Sequence, residues 1–336
     1  MDERLMEVPD GVERVSGPRI QPHHPPFEAP TTVTVVICAY TELRWDSLVD
    51  AVNSLRVQRR PPEQILIVID HNKGLLRRAE SSFRGSIEVL ANSGPKGLSG
   101  ARNTGVGRSR GDIVAFLDDD AEADPGWLEA LLAQYLPHVA GAGGVALPVW
   151  PTGRRPRWFP PEFDWVVGCS YLGLPTTVTP QRNLIGAAMS FRRLVFNEVG
   201  SFDTAMGRIG STPLGCEETE FSLRVRRSLA GTELVHVPLA IVQHHVGPER
   251  ESIKYFLRRC YAEGISKAAV ARRAGREQAL SSERHYVRST LPRGVLVGLR
   301  EVLRGDLGGL ARSAMIAVGL LATTAGFVAS RALGNP

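Results

Sequence analysis

The 336-residue chain is 43% hydrophobic and 22% charged, a globular balance that excludes a wholly disordered protein and leaves ample apolar material for a core. Its four cysteines (Cys38, Cys169, Cys216, Cys260) are scattered without a CxxC pair, which indicates neither a zinc ribbon nor a disulfide framework and suits a reducing compartment. The formal charge of +5 is uneven, because from Arg250 onward fifteen Lys/Arg stand against six Asp/Glu; that end is the one suited to phosphates, whether of a membrane or of nucleic acid.

Residues 1–30 show no sustained periodicity and hold Pro18, Pro22, Pro25, Pro26 and Pro30. They read as a flexible leader with a solvent-exposed, inert His23-His24 pair. No apolar stretch of signal-peptide type follows the start, so the folded body is expected in the cytoplasm.

Residues 32–38 (TVTVVIC) form a β-branched run without alternation, the pattern of a central parallel strand covered on both faces. A helix follows, with Asp46 as its expected N-cap, apolar residues at Leu48, Val49, Val52 and Leu55, and an end at Pro61-Pro62. A second buried strand at 65–69 ends in Asp70-His71-Asn72, and a weaker one occupies 87–90. A glycine-rich turn over 92–100 leads into a helix to about Arg108, and a strand at 113–117 ends in Asp118-Asp119-Asp120. This alternation predicts an α/β fold with a mostly parallel sheet, whose ligands sit beyond the carboxyl ends of the strands. Tyr40-Thr41-Glu42, Asp70-His71-Asn72 and the aspartate run all fall at such ends, which predicts one shared pocket.

Three consecutive carboxylates raise one another's pKa unless a cation neutralises them. Hard oxygen donors suit Mg or Mn. Taken alone, the run reads equally as a solvated acidic turn capping a helix that starts at Asp124-Pro125. In GLSGARNTG (97–105), small residues at a turn into a helix allow close backbone approach to a phosphate or ribose, and Arg102 can offer charge-assisted hydrogen bonds. The alternative is a glycine-rich helix start with a surface arginine. Neither GxxxxGK[ST] nor a GxGxxG after the first strand is present, so P-loop ATPase and dinucleotide-binding readings lose support.

The ordered set VVICAYTE (35–42), VIDHN (68–72), GLSGARNTG, FLDDDA (116–121) and GCEETEFSLR (215–224) resembles an inverting family 2 glycosyltransferase of GT-A type, over roughly 32–265. The resemblance implies a Rossmann-like, mostly parallel mixed sheet flanked by helices over 31–250, followed by a basic C-terminal helical region over 251–336. It implies that Tyr40 and Thr41 line a nucleotide pocket, that Asp70 hydrogen-bonds the base, and that Arg102 lies near the nucleotide. Asp118 falls to the ribose and metal, Asp120 to the metal, and Asp119 to the variable middle of the motif. Glu218 is the implied general base, with Glu217 taking that role if the register slips by one. His244 or His245 is expected at the metal or diphosphate. The segment 183–193 resembles the family's glycine-containing strand below the sugar, with Ala188 where a polar residue is common.

These parts imply transfer of a sugar from a nucleoside-diphosphate sugar to an acceptor hydroxyl with inversion, using a divalent metal, Mn or Mg. Two other readings remain: a nucleotidyltransferase on a related fold, against which CAYTE stands where a glycine-rich basic signature is usual, and a catalytically inactive sugar-nucleotide binding module, against which the intact carboxylates stand. Trp158, Trp165 and Tyr171 are aromatic residues suited to the acceptor side.

Downstream, Arg258, Arg259, Lys267, Arg272 and Arg273 lie on a helical pattern, and Leu296, Leu299, Leu303, Leu307 and Leu310 form a stripe flanked by Arg293, Arg300 and Arg304. Residues 313–330 are uncharged, about 27 Å as a helix and marginal for a core of about 30 Å. Two readings stand: peripheral association with the cytoplasmic face of the membrane, with a lipid-linked phosphate acceptor read by Arg258 and Arg259, or a helix pair packed on the catalytic domain. No nucleic-acid motif is found, so nucleic acid is not expected as a partner.

Overall fold

The computed structural model describes residues 27–83, 85, 87–207, 215–274 and 281–332. Residues 1–26 of the expected leader, with the His23-His24 pair, lie outside them. Folded packing begins before the expected boundary at 31: Phe27 is buried, its N–H donates to the Pro137 carbonyl at 2.8 Å, and the Arg192 guanidinium lies 4.6 Å from its ring.

β1 (Val33–Ala39) pairs in parallel with β2 (Gln64–Ile69) on one side and β4 (Ile113–Asp118) on the other, and β3 (Ile87–Ala91) runs parallel outside β2. Covered on both faces, β1 needs apolar residues at successive positions: Val33, Val35 and Ile37 enter one core layer and Val36 the opposite one. The sheet continues through β8 (Met189–Arg192), β6 (Val139–Val149), β9 (Glu233–His245) and β5 (Ala121–Ala123), with the two-residue β7 (Thr179–Pro180) also on β9. The helix-linked strands legible in the sequence are parallel. β5, β7 and β8, which no alternating pattern announces, run antiparallel to their neighbours, and β6 and β9 are parallel to each other.

α1 (Trp45–Arg56) departs from expectation at both ends. A 3-10 turn, Glu42–Arg44, precedes it, and Thr41 Oγ1 caps that turn by accepting from the Leu43 N–H at 3.3 Å. Arg44, not Asp46, holds the N-cap position of α1, with no side-chain hydrogen bond to cap it; Asp46 falls inside the first helical turn, where its charge suits the helix dipole. The helix also ends at Arg56, ahead of the proline pair. α2 (Lys73–Ser82) is capped by Asn72, and α3 (Leu98–Arg108) starts at Gly97, whose φ of 128° disfavours any side chain. α4 (Trp127–Leu132) and α5 (Arg193–Val199) cover the sheet, and α6 (Glu217–Ser228) precedes β9. Gly126, not Asp124, holds the N-cap position of α4.

The C-terminal region is helical: α7 (Ile253–Ala274), α8 (Ser281–His285), a π-helical turn over Tyr286–Thr290, α9 (Leu291–Leu303) and α10 (Gly308–Ala332). α7 and α10 pack closely, with Gly264 against the Thr323 carbonyl and Gly326 against the Tyr261 carbonyl, where an added methyl would clash. α10 is long and apolar enough to cross a membrane by length and composition, yet 28% of its most apolar window is buried in the protein. One face of residues 313–330 packs on the domain, as the helix-pair expectation has it, while Val318, Leu321 and Val328 point outward. The Leu296-Leu310 stripe is exposed along its whole length.

Candidate active site

The sheet delivers its polar strand ends to one cavity of about 540 Å³. Asp118 closes β4, and Asp119 and Asp120 turn inward with 4–5% exposure; they do not form a solvated turn. Antiparallel pairing of β5 with β9 sets Ala121 opposite His244, which brings that histidine back over the aspartates. Its Nε2 lies 3.3 Å from Asp120 Oδ1 and 3.9 Å from Asp118 Oδ2. The twofold alternation of a strand sends the neighbouring His245 to the other face, where it bonds Glu122 at 2.6 Å. Strand pairing, invisible in the local sequence, thereby chooses between the two histidines.

The ligand atoms of Asp118, Asp120 and His244 all lie within 4.8 Å of one another. Burial lowers the His244 pKa, favouring the neutral imidazole that a metal requires, and its buried Nδ1 has no hydrogen-bond partner among the described residues. Two hard oxygens and one imidazole are a donor set that fits Mn or Mg.

Two cations that sequence reasoning missed stand in the same place. Arg44, in the turn after β1, lies 2.8 Å from Asp119 Oδ1 and 2.9 Å from Asp120 Oδ2. Arg250, just beyond β9, lies 3.4 Å from Asp120 Oδ2. Burial pushes the Asp119 carboxyl up to about 7 while Arg44 pulls against that rise. Arg44 had a signal, its place in the polar run after β1; Arg250 had none.

Asp70 lines the cavity and also holds its wall. It accepts from Asn92 Nδ2 at 2.7 Å and from the Gly97 N–H at 3.0 Å, pinning the turn that launches α3. Gly100 packs directly on the Pro95 carbonyl, a space no larger residue fits. α3 then presents Arg102, which is 2% exposed and so not the surface arginine of the bland alternative. Its Nη1 donates to Glu217 Oε1 at 2.7 Å, its Nη2 donates to the Gly186 carbonyl at 3.2 Å, and Asp118 Oδ1 is 3.6 Å away. Tyr40 lines the cavity; Thr41 does not, being the cap described above.

α6 begins at Cys216, whose φ of 71° is left-handed, a costly conformation for a residue with a side chain. Its first turn carries Glu217, Glu218 and Glu220, favoured there by the helix dipole. Glu217 is held by Arg102, and Glu220 is held by Arg224 at 2.8 Å. Glu218 faces the cavity, accepts from Thr219 Oγ1 at 3.1 Å, and has no ion pair among the described residues. Burial, reinforced by the charge of Glu217, pushes its carboxyl up to about 8.

Trp165 and Tyr171 line the far side of the cavity, whereas Trp158 packs against Phe159 and Phe256 and does not. Arg259 lines it too; Arg258, the next position around α7, is exposed, so helical phase separates the expected pair. Gly186 contributes to the wall and Ala188 is buried behind it.

The model of the family described as glycosyl transferase family 2 matches residues 34–200. A glucosyl-dolichyl phosphate glucuronosyltransferase of Haloferax volcanii is 34% identical over 239 residues, 70% of this chain and 76% of the relative. The chain belongs to glycosyl transferase family 2. Another relative of this transferase, the inactive polypeptide N-acetylgalactosaminyltransferase-like protein 5 of Mus musculus, is 28% identical over 71% of the chain, which spans 57% of that protein's length. The transferase's fold is similar to that of a mannosyltransferase from Pyrobaculum calidifontis in complex with GDP-Man and Mn2+, with a TM-score of 0.59, 16% identity, and coverage of 93% of this chain and 91% of that one. The fold is therefore of the GT-A type.

Proposed function

We propose that this transferase moves a sugar from a nucleoside-diphosphate sugar to a hydroxyl of a lipid-linked or cell-envelope glycan acceptor, in one metal-dependent displacement that inverts the anomeric carbon. The observation that carries this reading is that Glu218 and the Asp118, Asp120 and His244 set line one cavity.

In this reading Asp118, Asp120 and His244 hold a divalent ion, which when bound neutralises charge growing on the departing nucleoside diphosphate. Arg44 and Arg250 sit beside the same carboxylates and supply further positive charge toward the leaving group. Asp70 keeps the α3 turn in position, and Arg102 fixes the start of α6 through Glu217. Glu218, free of an ion pair among the described residues and made more basic by burial, accepts the proton of the acceptor hydroxyl at its carboxylate oxygen as that oxygen attacks. A single displacement calls for no enzyme nucleophile, which agrees with four free cysteines taking no part.

A lipid-linked acceptor is supported by the dolichyl phosphate in the name of the Haloferax relative. The exposed leucine stripe with Arg293, Arg300 and Arg304, together with the outer face of α10, supports work at the cytoplasmic face of a membrane, whose anionic surface attracts such arginines. The test is transfer from radiolabelled UDP-, GDP- and TDP-sugars to a membrane extract, with and without Mn2+, followed by NMR of the anomeric configuration. Metal-dependent transfer with inversion is expected. Retention of configuration, or transfer unaffected by chelation, would overturn the mechanism.

A further inference from the structure

The cavity that holds Glu218 and the metal-ligand set has a wall that the displacement does not use and that the C-terminal helices largely build. α10 supplies Leu320, Thr323, Thr324 and Phe327 to it, and the π-helical turn and the start of α9 supply Tyr286, Val287 and Leu291. Phe163 and Trp165 join them from the 3-10 segment Pro161–Val167. Single π-helical turns are rare and concentrate at functional sites.

The chemistry of this wall suits hydrocarbon. Leu320, Phe327, Val287, Leu291 and Phe163 carry no polar side-chain atom, and each of the other four has already given its one side-chain hydrogen to the protein. Thr323 Oγ1 donates to the Gly319 carbonyl at 2.9 Å, and Thr324 Oγ1 donates to the Leu320 carbonyl at 2.8 Å. Trp165 Nε1 donates to the Tyr286 hydroxyl at 3.1 Å, and that hydroxyl donates to the Glu162 carbonyl at 2.7 Å. A surface that reads sugar hydroxyls keeps a few polar groups free to fix them. These nine side chains offer no donor, so what they gain from an occupant is apolar contact.

The same wall runs from the interior to the surface. Phe163 and Leu291 are buried, whereas Val287 and Thr324 are exposed. Helical spacing sets Thr324 on one strip of α10 with Leu321 and Val328, and both of those are exposed as well. Close packing of Gly264 and Gly326 between α7 and α10 holds the strip and the wall in one register. An apolar path therefore leads from the catalytic cavity to the outer face of α10.

We propose that the hydrocarbon chain of the acceptor lies along this wall, leaves the cavity between the π-helical turn and α10, and emerges at Leu321 and Val328. The inference deepens the proposed transfer and rests on it for the word acceptor.

The full-length protein, without donor, is titrated by calorimetry with farnesyl phosphate and dimethylallyl phosphate, both below micelle-forming concentrations; the two share a phosphate and differ in chain length. Farnesyl phosphate is expected to bind at least about tenfold more tightly, because its longer chain buries more apolar surface; equal affinity overturns the proposal. Val287→Gln with Thr324→Gln, which adds polarity at the exposed mouth, is expected to weaken farnesyl phosphate at least about tenfold and leave dimethylallyl phosphate unchanged, with the melting temperature as the folding control. Leu303→Ser with Leu307→Ser, on the leucine stripe, is expected to leave farnesyl phosphate binding unchanged. The reverse pattern, sensitive to the stripe and insensitive to the mouth, assigns the chain to the protein surface and overturns the path. No donor turns over in these titrations, so their failure removes the chain site and leaves the transfer reading to its own assay.

Discussion

Arg102 and Glu217, 115 positions apart in the chain, meet in a buried ion pair of 2.7 Å. The pair ties α3, which rises from the glycine-rich turn, to the first turn of α6, and so sets where Glu218 faces the cavity. Neither side chain has access to bulk water, at 2% and 4% exposure, and each therefore depends on the other.

Arg102→Met is expected to destabilise the fold by about 3–5 kcal/mol, because it strands the Glu217 carboxylate in a buried site. Arg102→Met combined with Glu217→Gln should recover part of that loss. Denaturant unfolding of the single and double variants checks both, and a single variant as stable as the parent would remove the pair's structural role.

Glu218→Gln is expected to lower kcat by about 10²–10⁴-fold, the usual contribution of a general base, with donor binding intact. Its carboxyl, raised to about 8, is mostly protonated below that pH and cannot accept a proton there. Activity should therefore rise with pH through the neutral range and level off above about 8. A pH–rate profile from 6 to 9 measures this, and a profile that falls over that range contradicts the assignment.

His244→Ala and Asp120→Asn are each expected to weaken Mn2+ binding by at least about tenfold, since each removes one of three converging donors. His245→Ala, whose ring turns away to Glu122, should change it little. Calorimetric titration with Mn2+ in the absence of donor compares the three.

Leu303→Ser with Leu307→Ser is expected to cut binding to anionic vesicles at least about tenfold, because burying an exposed leucine contributes roughly 1.5–3 kcal/mol. Both side chains are exposed, at 88% and 73%, so the melting temperature should move little. Vesicle flotation at low and high salt separates the leucine contribution from that of Arg293, Arg300 and Arg304.

Much of the parallel half of the sheet is legible in the chain itself. A strand covered on both faces, such as β1 or β2, requires consecutive apolar residues, and a run like TVTVVIC can hardly do anything else. The aspartates at the end of β4, the small residues before Arg102 and the acidic start of α6 are equally local, since each is written within one turn or strand end. Other features hang on packing between distant segments. Asp46 lost the N-cap position of α1 to Arg44 because the exit from β1 tightens into a 3-10 turn that runs straight into the helix. Arg258 and Arg259 differ in fate through the angle at which α7 docks, and His244 rather than His245 meets the aspartates because β9 pairs with β5 in one register. Arg44 and Arg250 reach Asp120 only once those strands are in place. Side-chain periodicity is a short-range property of the backbone and so can be read directly from sequence, whereas ion pairs and converging ligands depend on where strand ends and helix faces land after long-range assembly, which only the tertiary structure decided.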